Sequence, residues 1–468
     1  MFDVLNNQTK ITGNQKRIVA AAIIGDLLEF FDYYVMGFVL AFIVGPWHLT
    51  FGKSAVILLS AGIGAIFGAF FYGRMADAIG RRKIFMATVV NFSIATGFLA
   101  LTPQGNWFYL AFFRFLVGFG VGGLYCVDLP LVQEFVPTSK RGRIGGLVTA
   151  SIPIGLLLGA VLGAYLAPVL GWRGLFAMGL IPGLLTFLIR MWVPESPRWL
   201  VDQGRPEEAR KSLAWALEVD PESLPLPARI TETSSKPGFA ALFRHPRSLI
   251  ASWVTNLGIQ TGYYGLTLWA PTLLVLVLGV PPKRAAFLMI WVGLGGFCGR
   301  LLISWLSDIM GRKLTGGLAG IAAAVLLVLM ATQHSGTVFG IPLFWLLMVI
   351  GYAFADGIFA VLGPYSAEVW PTSLRATGMG SAYGFGGIGK VIGPWGLALI
   401  VGSSNPVTPA ASIQKLVPSF TYLAAGYLLA ALFFLFVGAE TKGRDLQEID
   451  QQLQSSAAER SALAGTVK

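Results

Sequence analysis

Asp26, Glu29 and Asp32 fall three residues apart inside an otherwise apolar run, 17–45. At 100° per residue they spread over about 120° of one helical face, so all three can look into a common interior. In lipid each ionised carboxylate near a span centre costs about 2.5–3.5 kcal/mol, which calls for partners, water or protons. A carboxylate that alternates between an arginine and a proton couples its protonation to helix packing, the chemistry of gradient-driven movement rather than of bond making. Arg114 lies in a second apolar run, 107–133. Counted from the same membrane face, Asp32 stands about 22 Å and Arg114 about 28 Å up their helices, a gap that a long arginine spans. Asp32 with Arg114 is therefore the expected coupling pair; the alternative is that Arg114 only ties the two helices together beside a permanently ionised Asp32. Asp26 lies nearer the start of its run. Glu29, between them, is either a second proton site or a ligand for solute. Asp128 is expected to support a gate.

Later in the chain, Asp356 and Lys390 rise about 20 Å and about 22 Å in their own apolar runs and can meet near the midplane. Either they form a fixed structural pair, or Lys390 is a clamp for a carboxylate solute. Asn256, Gln260, Tyr263 and Tyr264 share one side of a helix, with Trp269 beyond, Tyr125 in the run 107–133 and Tyr383 near Lys390. Rings with polar tips suit a planar, partly apolar ligand. The five acids Asp26, Glu29, Asp32, Asp128 and Asp356 outnumber the bases Arg114 and Lys390, which suits a cation or zwitterion instead. Both signs of cargo stand at this point.

The elements that must position these residues follow from composition. Of 468 residues, 55% are hydrophobic and only 12% charged, the balance of a chain whose main solvent is lipid. Twelve apolar runs have the length of about 20 residues that a span needs. They lie near 17–45, 54–76, 83–101, 107–133, 144–168, 173–193, 248–277, 283–307, 315–334, 341–369, 375–402 and 418–438. The predicted architecture is all-α, two six-helix bundles at 1–193 and 248–438, joined by a linker at 194–247 and followed by a tail at 439–468. PEEARKSLAWAL in the linker reads as a short amphipathic helix. The net charge of +11 recurs beside alternate span ends, as the positive-inside rule requires, so it implies cytoplasmic termini rather than a nucleic-acid partner. The polar N-terminus lacks a signal peptide's apolar core. Cys126 and Cys298 fall inside spans and are expected to be packing residues; His48, His245 and His334 form no cluster. No phosphate-binding loop, metal-ligand spacing or nucleophile motif appears, so neither an enzyme nor an ATP-driven pump is expected, and no cofactor.

Two motifs repeat in register. Asp77-x-x-Gly80-Arg81 returns 231 residues later as Asp308-x-x-Gly311-Arg312, and Glu134-x-x-Pro137 with Arg141 returns 234 residues later as Glu368-x-x-Pro371 with Arg375. Two homologous halves, parallel about the membrane normal, are the plan of carriers that expose a midplane site to each side in turn. Glycine permits the tight turn between spans, while Asp and Arg can meet a helix terminus or an opposite charge, so these eight charged residues are expected to gate. Gly118, Gly120, Gly122, Gly123, Gly155, Gly159 and Gly163 allow close, sliding helix contacts.

GRMADAIGRRK resembles the signature loop of the major facilitator superfamily. PESPRWL at 194–200, the paired Glu-x-x-Pro-x-x-x-Arg segments and AETKGRDLQEI at 439–449 resemble its sugar-porter and metabolite-proton symporter branches. The resemblance implies a twelve-span secondary transporter working by alternating access, without a cofactor, with a small molecule and protons as partners. Asp32 and Arg114 match the first-helix Asp and fourth-helix Arg that proton-coupled members use. NLGIQTGYYGLTLW departs from the sugar porters' Gln-Gln pattern, and GDLLEFFDYYVMGF is closer to metabolite-proton symporters. The expectation is proton-coupled uptake of a small organic acid, such as nicotinate or a hydroxybenzoate, by a monomer in a cell inner membrane. A carrier of organic cations or polyols, or a uniporter, is the alternative; a non-transporting receptor is disfavoured by the short tails.

Overall fold

Hydrocarbon offers no partner for a backbone N–H or C=O, which leaves the apolar runs only the helix, whose bonds close within the segment. The computed structural model describes residues 2–8, 10–137, 140, 144–145, 147–148, 150–191, 193–226, 239–371 and 374–441. The helices, in chain order, begin with α1 Phe2–Asn6, α2 Gly13–Ile43, α3 Phe51–Ile79, α4 Arg81–Ala100 and α5 Trp107–Glu134. They continue with α6 Ile152–Tyr165, α7 Ala167–Met191, α8 Pro197–Asp202 and α9 Pro206–Leu217. The later part contains α10 Pro246–Leu278, α11 Pro282–Met310, α12 Arg312–Thr332, α13 Leu343–Gly357 and α14 Phe359–Glu368. It closes with α15 Arg375–Gly386, α16 Gly389–Val401, α17 Pro409–Gln414 and α18 Leu416–Leu432. Among the described residues the only strands are β1 Thr337–Val338 and β2 Ile341–Pro342, an antiparallel hairpin between α12 and α13.

Eight segments among the described residues are long and apolar enough to cross a membrane by themselves. The long helix α2 is not one of them. Asp26, Glu29 and Asp32 crowd its apolar stretch, so the residues that make it chemically interesting also weaken its hydropathy.

The chain divides into two compact units, Met1–Ile43 with Val56–Thr233, and Val44–Ala55 with Ser234–Lys468. In the first unit α4 packs along α5 and α7, and α2 along α6 and α7. Glycine makes the closest crossings: a Cβ at Gly118 would strike the carbonyl of Ala61, one at Gly122 that of Ala65, and one at Gly155 would lie 2.7 Å from the Leu27 carbonyl. Gly171 has φ 71° inside α7, a break between its first turn and the span that follows. The amphipathic helix α9 buries Leu213, Ala214 and Leu217 against Leu5 of α1. Thr12 and Asn14 donate to the carbonyls of Ala216 and Trp215 at 2.5 and 2.8 Å, so the residues leading into α2 are tied to α9.

In the second unit α10 packs along α15, α16 and α18, α11 along α13, and α12 along α13 and α18. Two runs expected to be regular each carry a local distortion, with helical φ/ψ kept at Ile358, Gly387 and Ile388. The run 341–369 is distorted after Gly357, between α13 and α14, and the run 375–402 at Gly387 and Ile388, between α15 and α16. Poor helix formers explain both: Gly357 with Pro364 in the first, and Gly384, Gly386, Gly387 and Gly389 in the second. The distortions fall next to Asp356 and Lys390. Cys298, expected in packing, is exposed. The side chain of Cys126 lies outside the described residues.

Candidate functional site

In the first unit Asp26, Glu29, Asp32 and Arg114 are all buried. The expected carboxylate–guanidinium contact between Asp32 and Arg114 is not made among the described ion pairs. Arg114 instead donates from Nη1 to the Asp32 main-chain carbonyl at 2.8 Å and from Nη2 to that of Tyr33 at 3.0 Å. The Asp32 carboxylate accepts from Thr96 Oγ1 at 2.8 Å through Oδ2, while Oδ1 has no hydrogen-bond partner. A Cβ at Gly179 of α7 would stand 3.5 Å from that Oδ1. The reason is that two Arg114 donors are already used on this turn of the α2 main chain. Arg114 thus holds the backbone of the residue whose carboxyl keeps one open oxygen, an arrangement in which a proton or the arginine can complete Oδ1.

At the turns that follow α3 and α11 the two units repeat one design. Gly80 and Gly311 take φ 117° and 93°, conformations glycine reaches without strain. The Glu195 carboxylate accepts from Arg82 N at 3.0 and 3.2 Å, and the Glu440 carboxylate from Arg312 N at 2.9 Å and Lys313 N at 3.2 Å. Each acid therefore caps the N-terminus of the following helix, α4 or α12, where carboxylates are favoured. Arg81 pairs with Glu134, which also accepts from Ser196 Oγ. Correspondingly Arg312 lies 3.8 Å from Glu368, which accepts from Thr441 Oγ1 at 2.5 Å. Arg312 also pairs with Asp308 at 2.8 Å. Arg375 Nη2 donates to the Trp370 carbonyl at 3.5 Å. Arg141 and the side chain of Asp77 lie outside the described residues. Glu195, Ser196, Glu440 and Thr441 stand in the PESPRWL and AETKGRDLQEI segments but were given no gating role from sequence. Their signal was present as Glu-Ser and Glu-Thr 245 residues apart, a third repeat at a different offset.

In the second unit Asp356 does not use Lys390 as its partner. Both carboxylate oxygens are taken by Arg300 of α11, with Nε to Oδ2 at 2.7 Å and Nη2 to Oδ1 at 3.0 Å. The sequence reading overlooked Arg300, because it falls in the long run 283–307 with no repeat to mark it. Lys390 lies at the start of α16, its ammonium 5.0 Å from the centre of the Tyr264 ring and 5.1 Å from that of Tyr383. The two tyrosine rings attract the half-buried ammonium by their quadrupoles. Next to it a Cβ at Gly386 would strike Gln260 Nε2, and one at Gly389 would lie 2.6 Å from Thr261 N, so α10 meets the α15–α16 junction backbone to backbone. Gln260 is fully buried, yet neither its Nε2 nor its Oε1 has a hydrogen-bond partner. Asn256, by contrast, has its amide hydrogens engaged by the Ser252 carbonyl at 2.8 Å and Ser366 Oγ at 2.9 Å, and joins α10 to α14. Tyr263 accepts from Tyr352 Oη at 2.9 Å, and Thr267 shares that hydroxyl at 3.1 Å. Trp269 is buried and donates to the Pro394 carbonyl at 3.3 Å. The Tyr125 and Asp128 side chains lie outside the described residues. The structure therefore brings Gln260, Tyr264, Tyr383 and Lys390 to one place, and puts Asp356 with Arg300 and Asn256 with Ser366. No group of three or more potential metal ligands occurs among the described residues.

The family pattern described as sugar (and other) transporter matches residues 18–453. The niacin transporter of Acinetobacter baylyi is 29% identical over 432 residues, covering 91% of this chain and 94% of that protein. The cis,cis-muconate transport protein of the same organism is 28% identical, covering 83% and 89%. Among solved structures, the D-xylose-proton symporter superposes with a TM-score of 0.72 at 22% identity over 92% of this chain and 99% of that one. The xylose transporter of E. coli in an inward open conformation gives 0.71 at 21% identity, covering 94% and 99%. By its match over nearly the whole length and by its twelve-helix fold, this chain belongs to the sugar (and other) transporter family of the major facilitator superfamily, a multi-pass membrane transporter of small molecules.

Proposed function

We propose that the chain is a proton-coupled carrier that takes up a small organic anion, and that Lys390, Gln260, Tyr264 and Tyr383 form its solute site. The observation that carries the anion reading is the ammonium of Lys390, held between two tyrosine faces at a helix distortion. The N–H groups of this distortion are largely bonded within it, Ile388 to Phe385 and Lys390 to Gly387, so the side chain rather than the turn supplies the attraction. A carboxylate meets the ammonium, the unpartnered Gln260 amide supplies one donor and one acceptor, and the rings cover a planar body. The names of the niacin and muconate relatives are consistent with such a cargo.

Proton coupling is assigned to Asp32, with Glu29 and Asp26 on the same helix. Its support is the open Oδ1 of a buried carboxyl beside Arg114. Protonation of Asp32 removes the charge that would otherwise have to cross the membrane, so solute and proton move together. The carrier is placed in a cell inner membrane with both termini cytoplasmic, working as a monomer, with Asp77, Arg81, Glu134 and Arg141 and their counterparts Asp308, Arg312, Glu368 and Arg375 as cytoplasmic gates. The three buried carboxylates of α2 favour one other reading, a carrier of organic cations.

The test is uptake of labelled nicotinate, cis,cis-muconate, xylose and tetraethylammonium into proteoliposomes, with and without an inward proton gradient. The native protein accumulates an acid; Asp32→Asn loses accumulation and keeps exchange; Lys390→Gln loses affinity for the acid. Equilibration of a solute indifferent to the gradient refutes symport, and accumulation of tetraethylammonium alone transfers the assignment to the α2 acids.

A further inference from the structure

The Arg300–Asp356 pair has no counterpart in the first unit. Subtracting the repeat offsets, 231 for α11 and 234 for α13, leads to Ala69 and Gly122. There the crossing carries no charge: Gly118 and Gly122 meet the Ala61 and Ala65 carbonyls, and Gly64 and Gly68 meet those of Phe115 and Phe119. In the second unit only the counterparts of Gly64 and Gly68 keep their contacts, a Cβ at Gly299 striking the Ala353 carbonyl and one at Gly295 lying 2.7 Å from that of Val349, while Tyr352 and Asp356 replace Gly118 and Gly122. The backbone approach of α11 to α13 is therefore already secured without charges. A buried ion pair adds little net stability over apolar residues of similar volume, so its presence at this crossing asks for another role.

That role is legible in what the pair touches. Asp356 occupies the last turn of α13, one residue before Gly357 and the distortion that leads into α14. The Arg300 guanidinium, fixed by two parallel bonds to Asp356, also lies over the ring of Phe359, the first residue of α14, at 5.5 Å. Phe359 packs edge-on against Tyr263 with ring centres 4.9 Å apart. Tyr263 in turn meets Tyr264 at 5.2 Å, and Tyr264 carries Lys390. Tyr352, one turn before Asp356 on α13, donates to the Tyr263 hydroxyl. Both sides of Tyr263 are thus set by residues that the pair anchors, one on each side of the helix distortion.

We propose that Arg300 and Asp356 are positioning residues for the solute site: the bidentate pair clamps the α13–α14 junction and, through Phe359 and Tyr352, fixes Tyr263, Tyr264 and the ammonium of Lys390. A lysine at position 300 keeps the charge but loses both the fork and the flat face that covers Phe359. This inference rests on reading Lys390 as part of the solute site. It adds a specificity determinant that contacts no solute, and it assigns a function to the one charged pair by which the second unit departs from the first among the described α3–α5 and α11–α13 crossings.

The test compares Arg300→Lys, the double variant Arg300→Met with Asp356→Leu, and Lys390→Gln in proteoliposomes. Labelled nicotinate, cis,cis-muconate and tetraethylammonium are the solutes, with KM and maximal rate measured separately for each one that the native protein takes up. The expected result is a KM raised about tenfold in both Arg300 variants, with the maximal rate within about twofold of native and the thermal midpoint of the double variant retained. A purely structural pair is restored by the well-packed double variant and moves rate and folded yield rather than KM. Native KM in the double variant overturns the proposal; should that variant not fold, native KM in Arg300→Lys does so. If Lys390→Gln keeps native KM while the Arg300 variants raise it, the pair acts on something other than Lys390, and both the solute-site reading and this proposal fall. If Lys390→Gln raises KM and the Arg300 variants do not, only the positioning proposal falls.

Discussion

Replacing Gln260 by methionine should make the protein more stable and a poorer carrier at the same time. Gln260 is fully buried with both amide groups unpartnered, and each such group costs about 1–3 kcal/mol of desolvation that no bond returns. Methionine matches its length without branching, which matters because the side-chain tip lies against Gly386. The solute-free variant should therefore gain about 1 kcal/mol or more, read as a raised thermal midpoint of purified protein. Binding should weaken by the loss of two hydrogen bonds of about 0.5–1.5 kcal/mol each, which is roughly a 5- to 150-fold rise in KM. The assay is a pair of melting curves with and without nicotinate, alongside proteoliposome uptake. Solute should raise the melting midpoint of the native protein more than that of the variant. A variant that melts lower, or one with native KM, would show that the amide serves packing and not recognition, and the reasoning would fail at its first step.

Other consequences are more direct. A protonophore should abolish accumulation of the transported acid, and initial uptake should fall as the outside pH is raised to that inside, because both remove the proton supply to Asp32. Exchanging Glu195 or Glu440 for glutamine removes a carboxylate from a helix N-terminus and should cost about 0.5–2 kcal/mol in each case. A lower thermal midpoint and slower turnover would register it, and native values for both variants would show that the caps do not hold the gates. Gly118→Val drives its Cβ into the Ala61 carbonyl and should destabilise by about 1–3 kcal/mol, measured as reduced folded yield and midpoint; a native midpoint would mean that α3 and α5 yield freely.

What the sequence determined by itself is what local periodicity and repetition encode. Apolar run length set the spans, basic residues at alternate ends set the expected orientation, and the repeated Asp-x-x-Gly-Arg and Glu-x-x-Pro motifs marked homologous halves. Gly80 and Gly311 were legible as turn residues because a positive φ in a tight turn is a local property of the chain. Tertiary structure decided which charge meets which. Asp32 and Arg114 lie near one another as height along their helices suggested, but the guanidinium donates to the Asp32 and Tyr33 carbonyls. Height placed Asp356 beside Lys390, yet the azimuth of α13 turns Asp356 to Arg300 and leaves Lys390 to two tyrosines. Rise per residue is a property of one helix and can be counted from the chain. Azimuth between helices is fixed by how close their backbones approach, and that depends on glycine contacts and helix distortions contributed by segments far apart in sequence.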